Sequence, residues 1–482
     1  MNLPARPASE ERPATKLKSG ALPLSQVVMQ SITSVGPAIA VLVTFQPGIA
    51  MGGINAPLVY LADVLIVLML GSTLVQLSRA FPSAGGYFTY VSRTMNPRAG
   101  FIVSWAFVLY SALSPGVLFA YLGRIISLTL TGYGIEISWT LPFAAAAVLS
   151  GVIIYRGVEF SGRSLMLIGL MEIGIVFIFS LWGFVAPRDG SVSFAPFNPI
   201  HTSASALALA AVFGMFIYTG WESVAPMAEE SDNPRRNIPI ATVVSILFSC
   251  ALMTVCTWGL ILSWGTHDIA GIVGDKGMPA VTLARRLWGP YWWLLLVAVA
   301  NSIVGAGVGM SIVSSRMWFA MGRVGALPAY FASVHPKYLT PSYATWLQIA
   351  LFFVVGLGGA AIFGIDNLYL VGGLISVFAA IIIYIAANVG LTYHMWTRCR
   401  AEFDWIKHGV YPGLSTLALL VLSYNSVVPL PPAPVSWAPV IVAVWILFGI
   451  LIMGLMHVCG RQEWLQRAAA ASEAYDQSAS IR

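Results

Sequence analysis

The sequence predicts an all-α integral membrane protein of about twelve transmembrane helices, the first and sixth of them discontinuous. Three observations carry that reading. Of 482 residues 58% are hydrophobic and only 9% charged, with a mean hydropathy of +0.81, whereas a soluble chain carries about 25% charged residues. About twelve stretches reach the roughly 20 apolar residues that a helix needs to cross the hydrocarbon core. Two of those stretches place helix-breaking residues at membrane depth.

In chain order, residues 1–24 are polar, Pro-rich and charged, without the apolar core of a cleaved leader, and read as a disordered cytoplasmic tail. The apolar segments follow near 26–50, 57–78, 100–126, 138–156, 164–186, 204–228, 238–264, 291–320, 342–363, 367–393, 409–427 and 436–458. Residues 461–482 form a second tail. An even number of crossings puts both termini on one side. If that side is the cytoplasm, it holds 20 of the 25 Lys and Arg residues, leaving Arg124, Arg188, Lys276, Arg285 and Arg286 opposite. The positive-inside rule then orients the chain in the cytoplasmic membrane. The net charge of +6 finds its counterion in the anionic inner leaflet and needs no nucleic-acid partner. Cys250, Cys256, Cys399 and Cys459 are expected as free thiols, with no metal site and no cofactor.

The first segment contains "SITSVGPAIAVLVTF", residues 31–45. Pro37 removes a backbone donor and crowds the carbonyl of Thr33, while Gly36 has no side chain to keep the backbone helical. The helix should part between Ser34 and Pro37. Such an interruption is tolerated in hydrocarbon only where it is buried in protein or lines a polar cavity; a simple kink is the competing reading. The sixth segment tips the balance, because its "YTGWES" sets Gly220 beside Glu222, with Pro226 shortly after. Segments 1–5 and 6–10 then form two halves that each open with a broken helix, which is the pattern of an inverted-repeat transporter with its site between the halves. The first repeat covers about 25–187, the second about 203–394, and helices 11 and 12 about 409–458.

Three loops sharpen this. They are "FPSAGGYFTYVSRTMNPRAGFIVSW" (Phe81 to Trp105), "GWESVAPMAEESDNPRRNIPIAT" (Gly220 to Thr242) and "SRMWFAMGRVGALPAYFASVHPKYLTP" (Ser315 to Pro341). With the hydropathy they resemble, over residues 24–460, the amino acid, polyamine and organocation transporter (APC) superfamily. That resemblance implies the LeuT-type fold, a 5+5 inverted repeat followed by two further helices, and a transporter domain over 25–460. One departure stands out: the glycine-serine-glycine pattern of many members is here Ser34, Val35, Gly36, Pro37, so carboxylate recognition is expected to differ in detail.

The expected site follows from helix ends. Beyond Pro37 the amides of Ala38, Ile39 and Ala40, at the positive end of a restarting helix, can face a carboxylate. Where the first half of the sixth helix stops, the carbonyls of Phe216, Ile217 and Tyr218 can face an ammonium. Donors opposite acceptors suit a zwitterionic amino acid. The candidate substrate-binding residues are Thr33, Ser34, Val35, Gly36, Pro37, Ala38, Ile217, Tyr218, Thr219 and Gly220. To these the resemblance adds Tyr110, Ser111 and Pro115 on the third helix and Phe216 as an aromatic gate.

A carboxylate at mid-bilayer costs about 2.5–3.5 kcal/mol on insertion scales and marks function by default. Glu222, just past the second break, matches a carboxylate that takes part in proton-linked gating in relatives. Glu172 lies halfway along the fifth helix, where with Ser311, Ser314 and Ser315 it could hold sodium, exchange a proton or make an interhelical hydrogen bond. Asp63 is read as structural. Glu229 and Glu230 are expected to pair with Arg235 and Arg236 and close the inner side.

Other function classes fit poorly. There is no GxxxxGK[ST] phosphate loop and no soluble domain to hydrolyse ATP. His201, His267, His335, His394, His408 and His457 are scattered without an HExxH, which argues against an enzyme, and the paired breaks argue against a passive channel. The expectation is a secondary active transporter of amino acids, with the proton rather than sodium as coupling ion. A polyamine or amine permease, or an exchanger, is the alternative. Its partners are the small-molecule substrate and the lipid bilayer.

Overall fold

The computed structural model describes residues 17–203, 207, 210, 211, 214, 215, 217–275, 277–428, 430–458, 463 and 464. Among them the regular elements are helical, with two isolated bridges, Leu22–Ser231 and Val334–Pro341. The α-helices are α1 (Leu24–Val35), α2 (Phe45–Gly52), α3 (Ala56–Ala80), α4 (Tyr87–Thr94), α5 (Pro97–Phe107), α6 (Ser114–Thr131), α7 (Thr140–Tyr155), α8 (Val158–Val185), α9 (Pro234–Trp264), α10 (Ile269–Gly274), α11 (Pro279–Trp288), α12 (Trp293–Val324), α13 (Ser342–Phe363), α14 (Ile365–Thr397), α15 (Tyr411–Asn425) and α16 (Ala438–Val458).

Nine stretches among the described residues are long and apolar enough to cross a membrane. They match nine of the twelve expected segments, and each of the other three departs for its own reason. Segment 138–156 folds as α7, apolar but only 16 residues long. Segment 409–427 yields the 15-residue α15, which a π-turn at Ile406–Val410 precedes. Segment 204–228 lies partly outside the described residues and is interrupted at Gly220.

Both interruptions fall where the residues demand them. α1 stops at Val35; Gly36 turns left-handed at φ 72°, its amide bonded to the Thr33 carbonyl at 3.1 Å. Beyond Pro37 the chain resumes as a π-turn, Ile39–Val43, before α2. In the sixth segment the helix reaches Tyr218, Gly220 takes φ 113°, and Trp221–Met227 winds as a tight 3-10 helix. Proline also shapes the third segment. Pro115 cannot donate to Ser111, and the helix loosens just before it into the π-turn Val108–Ala112, where Leu113 reaches back to the Val108 carbonyl at 3.2 Å.

The first segment and α12 form the centre, 83% and 78% of their most apolar windows being buried. Their close approach needs glycine: a Cβ on Gly305 would sit 2.5 Å from Thr33 Cγ2, and one on Gly309 would sit 2.0 Å from Ser34 Oγ. At the periphery α16 is clasped to α5 by a reciprocal pair, Trp105 Nε1 donating to the Trp445 carbonyl and Trp445 Nε1 to that of Trp105, each at 2.8 Å.

Candidate functional site

The two breaks lie against each other. Ser31 Oγ, one turn before the first, donates to the Trp221 carbonyl at 2.6 Å, and a Cβ on Gly220 would stand 2.6 Å from the Ser34 carbonyl oxygen. Beside this junction opens a cavity of about 690 Å3 of atom-free space, solvent at its mouth included. Ser34, Val35, Ile39, Ala40 and Thr44 line it from the first segment, Tyr110, Ser114, Val117 and Leu118 from the third, and Ile217 and Thr219 from the sixth. Ala306 and Met310 of α12 and Tyr369, Gly372, Gly373 and Ser376 of α14 complete the wall. Among these lining residues none is charged. Hydroxyls stand among aliphatic groups, and Ser114 and Ser376 approach to 3.0 Å across the cavity's edge.

Of the expected substrate residues, Ser34, Val35, Tyr110, Ile217 and Thr219 line the cavity. Thr33 does not: wedged against Gly305 of α12 and Gly169 of α8, it donates to the Leu165 carbonyl at 3.2 Å. Gly36, Pro37, Ala38, Pro115 and Gly220 are buried without lining it. Ser111 bonds Ser314 at 3.2 Å, and Tyr218 donates to the Tyr60 carbonyl at 2.8 Å. Phe216, the expected gate, lies outside the described residues. The α14 contribution was missed. Its signal in the sequence is the adjacent Gly372–Gly373 pair, where absent side chains leave room.

The amides expected to await a carboxylate already have protein acceptors. Ala38 N donates to Glu172 Oε2 at 3.4 Å, Ile39 N to Ser302 Oγ at 3.3 Å, and Ala40 N to the Gly36 carbonyl at 2.8 Å. Glu172 is therefore found beside Ala38 and Ser302, and not with the serines expected to accompany it. From Ser302 to Ser311 is nine residues, about 13 Å along a helix. Ser311 bonds the Gly307 carbonyl at 2.5 Å and Ser315 that of Ile312 at 3.0 Å, both within α12.

Glu222 is buried at the second break. Its Oε2 accepts from Gly220 N at 3.3 Å, and its Oε1 accepts from the hydroxyl of Tyr110. Tyr110 thus lines the cavity and also reaches the buried acid with its hydroxyl. Asp63 is also buried, its Oδ2 against Gly214 and without a hydrogen-bond partner.

On the opposite side of the breaks from α2, ion pairs close the structure, with partners other than those expected. Glu230 takes a bidentate pair of bonds from Arg316, both side chains buried, and Glu229 pairs with Arg323 at 2.5 Å while accepting from Ala84 N at 2.9 Å. Arg235 and Arg236 are exposed. The reason is geometric. Arg316 and Arg323 stand two turns apart on one face of α12, which runs past the loop carrying the acids, whereas α9 carries Arg235 and Arg236 outward.

A family model described as amino acid permease matches residues 22–452. The chain is 24% identical over 472 residues to a branched-chain amino acid permease of Bacillus subtilis (strain 168), covering 92% of this chain and 94% of that one. It is 26% identical over 358 residues to a serine/threonine exchanger of the same organism, covering 72% and 77%. A methylthioribose transporter, also of that organism, is 30% identical over 318 residues, covering 61% of this chain and 63% of its own length, under two thirds.

Proposed function

Given that this chain belongs to the amino acid permease family of the APC superfamily, we propose that it is a secondary active transporter which takes up an amino acid across the cytoplasmic membrane, driven by protons through alternating access. Both termini face the cytoplasm in this reading, and the chain works as two five-helix repeats with two added helices. The observation that carries it is the uncharged cavity beside two abutting helix breaks, joined through Tyr110 to the buried Glu222. Substrate that alters Tyr110 alters the environment of a group able to exchange a proton, which is the coupling that transport against a gradient requires. The polyamine alternative is weaker, because a polyamine calls for two separated carboxylates and none stands among the described residues that line the cavity.

The test is uptake by purified protein in liposomes under an imposed pH gradient, with amino acids, a polyamine and methylthioribose, the last being the cargo named for one relative. Accumulation of a neutral amino acid that collapses with the gradient is expected. Accumulation of the polyamine or methylthioribose alone would overturn the substrate class, and accumulation driven only by sodium would overturn the coupling ion.

A further inference from the structure

Glu172 sits midway along α8, fully buried, with one carboxylate oxygen on the Ala38 amide and the other, Oε1, without a partner. Ala38 is the first amide after Pro37, at the positive end of the restarting helix. An anion is favoured there by the released donors and the helix dipole. The structure fills that position from within. The neighbouring amide of Ile39 is held by Ser302, and Ala40 bonds back to Gly36. With Glu172 in place, none of the three amides is left to face the cavity.

An N–H group directs its bond to one strong acceptor at a time, so Glu172 and an incoming carboxylate exclude each other at Ala38. We propose that Glu172 is an internal competitor for the substrate's carboxylate, and that a proton on Glu172 releases the Ala38 amide to the substrate. Gly36, already left-handed at φ 72° just before the restart, is the joint about which that peptide can turn toward the cavity. By linkage, substrate bound at Ala38 favours the protonated Glu172 as strongly as the proton favours substrate.

Among the described residues, the elements packed against α8 bring no other charged group beside Glu172, and Arg163 on α8 itself lies nine residues earlier, about 13 Å along the axis. α1 and α7 carry no charged residue. From α12 the carboxylate meets Ser302, and Arg316 and Arg323 of that helix lie 14 or more residues further on, about 20 Å along the axis, engaged with Glu230 and Glu229. On α9, Cys256 stands beside Ser180, two turns beyond Glu172 on α8, and Arg235 and Arg236 are exposed at the helix start.

This inference rests on the amino acid reading, and its test separates the two. Calorimetric titration of the purified protein would compare a neutral amino acid with its amide, which lacks the carboxylate, between about pH 5 and 7, where both keep a charged ammonium. The free acid should bind about tenfold more tightly at the acid end while the amide's Kd stays flat, since the competition concerns the carboxylate alone. In Glu172→Gln, a neutral and weaker acceptor of the same shape, the acid's Kd should fall about tenfold at pH 7 and lose its slope. If the amide shows the same slope as the acid, or the variant retains the slope, the inference is overturned. Should the variant not fold, the acid and amide on the unaltered protein decide alone. Binding of neither compound at any pH would remove the amino acid reading, and this inference with it.

Discussion

At the first break the chain turns at Gly36, and the amides it frees are taken by side chains of two other helices, Glu172 of α8 and Ser302 of α12. At the second it turns at Gly220, and the amide there is taken by Glu222, two residues further along the same chain. Each break therefore has a buried glutamate on one of its amides, at 3.4 Å and 3.3 Å. The first carboxylate comes from the scaffold and the second from the restart itself. A motion of the segment that restarts after Gly36 relative to α8 must break the first contact, whereas the second travels with its own segment. Paired breaks can thus be unequal partners, one sensing the position of its neighbours and the other sensing the cavity through Tyr110.

The largest effect should come from testing that inequality with alanine. Gly220→Ala would put a Cβ 2.6–2.9 Å from backbone atoms of Ser34 and Val35, which cannot give way without driving the two breaks apart, and would do so at φ 113°. Loss of most folded protein is expected. Gly36→Ala carries a left-handed penalty of about 1–2 kcal/mol, but its new Cβ meets movable groups, Ile39 Cδ1 at 3.0 Å and Ser302 Oγ at 3.2 Å. It should insert and unfold at a moderately lower temperature. A bulkier leucine at 36 would not be a clean test of binding, because Ser302 and Ala306 already crowd the position. Detergent-solubilised yield and thermal unfolding of the two alanine variants measure the difference; equal losses would mean the breaks are equally rigid.

Next in size is Glu222→Gln. The carboxylate accepts from two donors, Gly220 N and the Tyr110 hydroxyl, and an amide can serve only one of them with its oxygen. With the oxygen on Gly220 N, the NH2 faces the Tyr110 hydroxyl, which must turn to accept instead of donate, and the exchangeable proton is gone. Accumulation against a gradient should vanish while exchange of substrate across the liposome membrane remains measurable. Concentrative uptake that survived would transfer the coupling role to Glu172.

These breaks were legible because a helix break is a local event. Glycine and proline at 36 and 37, and glycine at 220 beside an acid, announce it without knowledge of anything distant. What meets the break is not local. Glu172 reaches Ala38 across 134 positions and Tyr110 reaches Glu222 across 112, and no periodicity in a single chain encodes such pairs. The misassigned ion pairs illustrate the limit. Nearness in sequence points Glu229 and Glu230 to Arg235 and Arg236, while the actual partners, Arg316 and Arg323, carry a usable signal: two cations seven residues apart at the end of an apolar helix share a face and need anions.

The smallest effect should come from the bond that joins the two breaks. Ser31 Oγ donates to the carbonyl of Trp221, the first residue of the second restart, and also stands 2.8 Å from Ser245 Oγ of α9. Ser31→Ala removes the bond to Trp221 and the one with Ser245, each worth about 0.5–1.5 kcal/mol net, so the unfolding temperature should drop slightly. The informative quantity is the exchange rate. Gly220 packs directly on Ser34, so the two breaks should move as one body, the Ser31–Trp221 bond should persist through the cycle, and its loss should leave the rate nearly unchanged. If the breaks instead slide past each other, this bond must be broken on the way to the transition state. Its removal would then speed exchange by up to about tenfold, the rate equivalent of roughly 1.4 kcal/mol. Stability and exchange measured on the same preparation distinguish a bond kept throughout transport from one broken in each cycle.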